Sequence, residues 1–348
     1  MRLGFYAPLK PPNHTVPSGD RAMARALVAA LEHMGAQVDL ACTLRSRDGA
    51  GDATVQADLL AQAQQLVPQI FQRGRAAGWQ AWITYHTYYK APDLIGPAVA
   101  RALGIPYLLV EATRARKRLG GPWDTFAQSA EAACDAADVV FYLTQRDREA
   151  LDAYAPNGQH LVHLAPFLPR NDLPQQANGP HLLAVGMMRA AAKLASYELI
   201  AQTLALVPEA PLLEIAGDGP ARARVEAAMA PLGGRVRFLG ELTPEALEQA
   251  YARAGALIWP GVDEAFGVSY LEAQAHGLPV IAQDRDGVRD VLYPRAYPAV
   301  DKGAVGLAEL LRSVAPDAQD IRAHIDAHHL LPAAAQTLRA GLGLAGVS

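Results

Sequence analysis

The chain has 348 residues, with 31 Lys and Arg against 35 Asp and Glu and a hydrophobic share of 51%. At about 100–200 residues per domain this length fits two domains, and the composition excludes a disordered chain, a collagen-like repeat and a small disulfide-stapled module. A net charge of −4 gives no overall attraction to nucleic acid, although the first 170 residues carry +2 and the remainder −6, which makes the first half the better partner for an anion.

Short apolar runs bounded by turn residues alternate with helical patterns, the signature of a parallel sheet covered by helices. In the first half the expected strands are Arg2–Tyr6, Gln37–Ala41, Ala81–Tyr85, Tyr107–Val110, Val139–Leu143 and His160–Leu164. Between the first two, Met23, Ala26, Leu27, Ala30, Leu31 and Met34 recur at helical spacing, with Ser18 or Asp20 as cap and Gly35 as stop. Cys42 and Cys134 stand far apart without CxxC or Cys/His spacing, which predicts a reducing compartment and no structural zinc. The opening MRLGFYAP lacks the features of a signal peptide, and no window holds 18 uninterrupted apolar residues. Both point to a cytoplasmic protein.

Residues 168–180 are polar, hold three prolines and lack periodicity, so an interdomain linker is expected there. A second series follows, with strands His181–Val185, Leu212–Ala216, Val236–Leu239, Ala256–Trp259 and Pro279–Ala282. Helices are expected near Leu194–Leu206, Pro220–Met229, Pro244–Ala252 and Val268–His276, and an Ala-rich helical stretch closes the chain. The division read from this pattern is 1–170, 181–325 and a helical tail, 326–348, packing back on the first domain.

In open parallel sheets ligands gather beyond the carboxyl ends of the strands. After Trp259 comes Pro260-Gly-Val-Asp-Glu264-Ala-Phe266-Gly267-Val268-Ser269-Tyr-Leu-Glu272-Ala-Gln-Ala-His-Gly277-Leu-Pro279. A helix starting at Gly267 aims the free amides of Gly267, Val268 and Ser269 at an anion, a phosphate cradle. Glu264 and Glu272 can accept hydrogen bonds from ribose or sugar hydroxyls. Alone, a loop acid and a solvated helix face would account for both glutamates; the frame around them is far more specific.

That E-x-F-G-x-x-x-x-E-A-x-A-x-G-x-P frame resembles the donor-binding signature of glycosyltransferase family four. The resemblance implies a GT-B fold, two Rossmann-like doubly wound α/β domains facing each other across a cleft, closing about the 168–180 hinge. It implies that Glu264 touches donor-sugar hydroxyls, Glu272 holds the ribose, and Phe266 with the amides of Gly267–Ser269 lies against the nucleotide diphosphate. The family also carries Arg and Lys after the first strand of this domain. Here that strand leads into Gly186-Met-Met-Arg189-Ala-Ala-Ala-Lys193, with the Arg delayed and the gap shortened. Arg189 and Lys193 are the expected cations at the departing diphosphate, where charge builds as the glycosidic bond breaks. Gly217 in Ala216-Gly-Asp-Gly-Pro220 matches the family's G-x-G-P turn, and Leu239 in Phe238-Leu-Gly240 its F-x-G loop beside the base.

On the acceptor side the resemblance rests on Gly19, Asp20 and Arg21 at the first helix, Tyr85 and His86 after the third strand, and Glu111 and Arg114 after the fourth. His86 and Glu111 are expected near the reacting sugar, and many relatives have histidine where this chain has Glu111. The basic run Arg114, Arg116, Lys117, Arg118 would suit a lipid-linked acceptor and peripheral contact with the inner face of a membrane. Asp284-Arg285-Asp286 imitates an Asp-x-Asp metal motif, but it has no second ligand cluster, so no metal is expected.

The expected activity is thus a retaining, metal-independent glycosyltransferase without cofactor. It would move a sugar from a UDP- or GDP-sugar to a glycan, lipid-linked or small-molecule acceptor in cell-envelope or polysaccharide biosynthesis. An epimerase or phosphorylase on the same fold, or a catalytically weak nucleotide-sugar-binding subunit, stays open as an alternative, and so does the oligomeric state.

Overall fold

The structure, a computed structural model, describes every residue of the chain except Pro17, Ala115 and Ser348. Two of these fall in segments singled out above, the approach to the first helix and the basic run. The chain divides into two compact units, Met1–Ala165 with the chain from Leu331 on, and Pro166–Leu330.

The first unit is a six-stranded parallel sheet in the order β2-β1-β3-β4-β5-β6, from β1 Arg2–Tyr6, β2 Gln37–Cys42, β3 Ala81–Thr87, β4 Tyr107–Ala112, β5 Val139–Tyr142 and β6 His160–His163. Helices α1 Gly19–His33, α2 Ala53–Ala77, α3 Gly96–Leu103, α4 Asp124–Ala136 and α5 Gln145–Tyr154 connect its strands. Ser18 caps α1 by accepting from the amide of Arg21, and Asp52 caps α2 by accepting from Thr54 and Val55. Helix α2 contains Pro68 and buries only a narrow stripe, Gln56, Ala63, Ile70 and Gly74. So sparse a stripe gives little periodic signal.

The second unit is a five-stranded parallel sheet in the order β11-β10-β7-β8-β9. Its strands are β7 His181–Val185, β8 Leu213–Ala216, β9 Val236–Gly240, β10 Ala254–Ile258 and β11 Val280–Ile281. Its helices are α6 Ala192–Ala205, α7 Arg222–Met229, α8 Pro244–Ala252, α9 Val268–Ala275, α10 Gly303–Arg312 and α11 Ala318–His328. Strand β7 begins the series yet lies between β8 and β10, so the connections leave β7 and β10 in opposite directions and open a crevice at their carboxyl ends. Each unit is thus a Rossmann-like doubly wound α/β layer with its own core.

One expectation about the segments changes. Residues 168–180 are not a free linker: the amides of Leu168, Ala177, Asn178 and Gly179 bond to carbonyls of His329, His276, Ala252 and Ala254, all in the second unit. Proline-rich sequence lacks periodicity whether it swings or is pinned, which is why composition alone reads as a hinge. The Ala-rich end holds two helices. Helix α11 stays in the second unit, and α12 Leu331–Leu344 packs on α1 in the first, burying Ala334, Ala335, Leu338, Gly341 and Leu342.

Candidate functional site

The crevice of the second unit opens into a cavity of about 680 Å³ lined by the loops after β7, β8 and β10 and by the start of α9. Gly186, Met187 and Lys193 come from the first loop, Gly217, Asp218 and Gly219 from the second, and Glu264, Gly267, Val268 and Ser269 from the third. Gly217 has φ 139°, and a Cβ there would stand 2.0 Å from the carbonyl oxygen of Gly186. Only glycine lets these two loops close on each other. Gly267, at φ 76°, is the N-cap of α9, and no side chain caps that helix, so its first amides face the cavity mouth.

One charged pair dominates the wall. Lys193 Nζ donates to Glu264 Oε1, which also accepts from the Trp259 indole at 2.9 Å. The ammonium lies 5.3 Å from the centre of the Trp259 ring. Trp259 is fixed in turn by Tyr197, edge-on at 5.1 Å, and Tyr197 donates to the Gly186 carbonyl at 2.6 Å. The Tyr270 hydroxyl donates to the Trp259 carbonyl at 3.1 Å. The cation and the carboxylate therefore sit on a rigid aromatic mount, with 27% and 14% of their side chains accessible. An anion entering the cavity meets a partly exposed ammonium and the open amides of α9.

The other expected donor residues are placed differently. Arg189 is exposed and does not line the cavity, and among the described residues it forms no ion pair. Between it and Lys193 the backbone reverses at Ala191, φ 61°, while Met188 is fully buried with its amide on the Asp218 carbonyl. Anchoring Met188 inward turns the next residue out. Leu239 and Phe266 pack against the hydrophobic core of the unit, and Leu242 and Leu247 line the cavity in their place. Glu272, on α9, is not among the residues that line the cavity; its Oε2 accepts from the buried Tyr251 hydroxyl at 2.8 Å. Burial raises the Glu272 carboxyl above its ordinary value, partly offset by that bond. Asp284 and Asp286 both pair with Arg289, and among the described residues no group of three or more His, Cys, Asp or Glu is placed to hold a metal.

In the first unit the ends of β3 and β4 bring four expected residues together. His86 and Glu111 both hold positive φ, 60° and 57°, a conformation that L residues rarely adopt and that costs about 1–3 kcal/mol each. His86 Nδ1 lies 3.1 Å from Asp20 Oδ1, at the first turn of α1, and 4.0 Å from Glu111 Oε1. Buried Tyr85 adjoins the same carboxylate. Burial alone would lower the His86 pKa, but Glu111 and Asp20 together raise it above the ordinary value. Glu111 is raised by burial, with His86 opposing, and Asp20 is lowered, chiefly by its bond to His86. Burial and mutual attraction thus act on all three groups of this cluster together.

Three acceptor-side expectations need correction. Arg114 turns inward, 1% of its side chain accessible, and pairs with Glu131 at 2.8 Å and Asp135 at 2.7 Å on α4. Its charge is already spent, so it cannot serve an acceptor. Arg21 holds the loop before α1 through the carbonyls of His14 and Thr15, and Gly19 is simply the exposed first residue of that helix. The basic run is also less free than its sequence suggests, since Arg116 lies over Tyr154 at 4.4 Å and 3.9 Å from Glu131.

Residues 179–315 match the family profile described as glycosyl transferases group 1. Over that segment the second unit resembles a group 1 glycosyltransferase domain. The sulfoquinovosyl transferase of Arabidopsis thaliana is 35% identical over 97 residues, covering 28% of this chain and 18% of that protein. The 2-deoxystreptamine glucosyltransferase of Streptomyces kanamyceticus is 26% identical over 251 residues, covering 64% of this chain and 63% of that protein. The chain thus spans less than two thirds of the length of these curated relatives. In fold, the sucrose-phosphate synthase of Thermosynechococcus elongatus superposes with a TM-score of 0.68 at 19% identity, over 97% of both chains. That likeness establishes the GT-B architecture of the neighbours for both Rossmann-like units.

Within the second unit, sequence reasoning missed Trp259, Tyr197 and Tyr251, which hold candidate side chains of the site in place. Trp259 stood at the end of an expected strand, and nothing in its spacing marks a hydrogen bond to a glutamate five residues on. Asp218 and Glu241, both at the cavity, were equally silent.

Proposed function

We propose that the protein is a retaining glycosyltransferase that takes a nucleoside-diphosphate sugar, a UDP- or GDP-sugar, in the cavity of its second unit and an acceptor on its first. The observation that carries this reading is the Lys193 and Glu264 pair, mounted on Trp259 in the wall of that cavity, inside the segment with the family match.

The mechanism follows from where charge moves. The diphosphate sits at the amides of Gly267, Val268 and Ser269 and draws Lys193 away from Glu264. As the glycosidic bond lengthens, charge accumulates on the bridging phosphate oxygen, and Lys193 stabilises it more in the transition state than in the ground state. Glu264, released from the ammonium, accepts hydroxyls of the donor sugar. Glu272, oriented by Tyr251, accepts the ribose hydroxyls. No carboxylate is placed by this reading as a nucleophile, so the departing phosphate oxygen takes the acceptor proton on the face it leaves, with retention. Cationic and amide groups carry the leaving charge, a role that calls for no resident metal or cofactor. His86, held between Asp20 and Glu111, would bind and orient acceptor or sugar hydroxyls. The likeness to the transferases above supports transfer and lends nothing to an epimerase.

A cell-envelope or polysaccharide intermediate handled in the cytoplasm or at the membrane's inner face fits this reading; among the described residues no helix is long and apolar enough to cross a membrane. Calorimetric titration with UDP, GDP and ADP, followed by assay of free nucleoside diphosphate with and without candidate acceptors, tests the proposal. Saturable binding of one nucleotide and acceptor-dependent release are expected. Nucleotide release equal with and without acceptor, or no binding at all, would overturn it.

A further inference from the structure

A row of rings runs outward from His86 along the first unit. His86 and Tyr88 are 5.0 Å apart between centres, Tyr88 and Tyr89 5.6 Å, and Tyr89 and Trp123 5.6 Å. Two cations close its far end. Lys90 Nζ stands 5.7 Å from the Tyr89 ring and 5.4 Å from Trp123, and the Arg118 guanidinium 4.9 and 5.6 Å from the same rings. Among the described residues neither cation is paired with a carboxylate, in contrast to Arg114 nearby, and Arg118 Nε is buried without a hydrogen-bond partner.

Two like charges held over one pair of rings repel each other, and the ring faces orient them without neutralising them. A group that brings negative charge and several acceptor oxygens relieves both the repulsion and the unpartnered guanidinium N–H. A phosphate does so; a neutral sugar does not. The rings between the cations and His86 offer flat apolar faces of the kind that cover the C–H face of a sugar or polyol.

We infer that the acceptor carries a phosphate group, held by Lys90 and Arg118, with its sugar or polyol lying along Tyr88 and Tyr89 toward His86. The inference rests on the acceptor role given above to the first unit, and it assigns the substrate class. A free sugar phosphate, a dianionic monoester, and a lipid headgroup, a monoanionic diester, both present anionic non-bridging oxygens to the two cations.

The test follows the indole N–H resonance of Trp123, assigned by Trp123→Phe, while the full chain is titrated with inorganic phosphate, glucose 6-phosphate, glucose, and vesicles of phosphatidylcholine with or without phosphatidylinositol. Expected is a saturable shift with the two phosphate compounds and none with glucose. Affinity should fall at least tenfold in Lys90→Gln with Arg118→Gln, and less in Arg118→Lys. Tighter binding to phosphatidylinositol vesicles than to glucose 6-phosphate, lost in the same variants, would mark a lipid-linked phosphate. The inference is overturned if Trp123 responds to none of these probes, or if the double variant binds phosphate compounds as the native protein does. UDP binding and thermal midpoint, measured on the same samples, verify folding and keep the two readings separate. UDP binding without any phosphate response removes the phosphate acceptor and leaves the transferase; phosphate response without nucleotide binding leaves a phosphate site and removes the transferase reading, and with it the acceptor role.

Discussion

Lys193 and Glu264, 71 positions apart in the chain, share a hydrogen bond in the wall of one cavity. The cation proposed to meet the departing diphosphate is therefore held by the carboxylate proposed to hold the sugar. The donor must exchange one partner of Lys193 for another, so part of the diphosphate's binding energy goes into parting the pair.

Glu264→Gln should separate these roles. Without the competing carboxylate, Lys193 is free for the diphosphate, and affinity for the preferred nucleoside diphosphate should rise about threefold to tenfold, the scale of one partly exposed ion pair. Transfer should nonetheless fall, because the amide cannot accept sugar hydroxyls as strongly. Calorimetry and initial rates on the same variant decide this; weaker nucleotide binding would refute the exchange.

The loop after β7 gives a second contrast. Lys193→Ala should lower kcat roughly 10²–10³-fold, as for loss of one group aimed at developing charge, with a smaller effect on nucleotide affinity. Arg189→Ala, outside the cavity wall, should cost less than about tenfold, within reach of an exposed cation. Equal losses for both would mean that Arg189 joins Lys193 when the donor binds.

At Glu272 the same burial should appear in binding and in stability. Glu272→Ala should weaken nucleotide binding at least about tenfold, as expected for a hydrogen-bonded charged acceptor of about 1.5–3 kcal/mol, and Tyr251→Phe should weaken it less. Because burial raises the Glu272 pKa in the folded state, the protonated form is favoured there. Its contribution to stability is full below the ordinary carboxylate pKa and is lost as pH rises through the raised value. Glu272→Gln, tested without nucleotide, should therefore melt above the native protein near pH 8, and the gap should close toward pH 4. A gap independent of pH would contradict a buried carboxylate.

His86 carries the corresponding signature in the first unit. Its folded pKa is raised by Glu111 and Asp20, so this stabilisation is present below the ordinary imidazole value and disappears as pH rises through the raised one. Asp20→Asn and Glu111→Gln should each lower the His86 pKa, read from the imidazole proton resonances across a pH titration. An unshifted midpoint in both variants would show that neither carboxylate acts on the ring.

Much of the fold could be read because its signals are local. His181–Val185 and Pro244–Ala252 fall where the apolar runs and helix caps put them, and α1 begins at Ser18 and ends before Gly35 as the spacing predicts. Helix α2 went unread because its buried stripe is narrow, and the pinned 168–180 segment was misread because proline content does not distinguish a tether from a strap. Of the proposed donor residues, Gly186, Gly217 and Gly267 reach the cavity, at close approaches where an added Cβ would stand 2.7 Å from Trp259, 2.0 Å from the Gly186 carbonyl and 2.7 Å from Tyr270 respectively. Leu239, inside β9, and Phe266 do not; both pack against the core of the unit.

The sequence by itself determined two wound α/β units, the order of their strands along the chain, and a helix start at Gly267 framed by two glutamates, all of which depend on periodicity, caps and backbone sterics over a few residues. Only the tertiary structure decided that Lys193 rather than Arg189 lines the cavity, that Trp259 and Tyr251 aim the two glutamates, and that Arg114 is spent on α4 while Lys90 and Arg118 are left without a counter-charge. Those outcomes turn on which side chains from distant segments meet. Pairing, burial and the resulting proton affinities are properties of such meetings, and no local spacing encodes them.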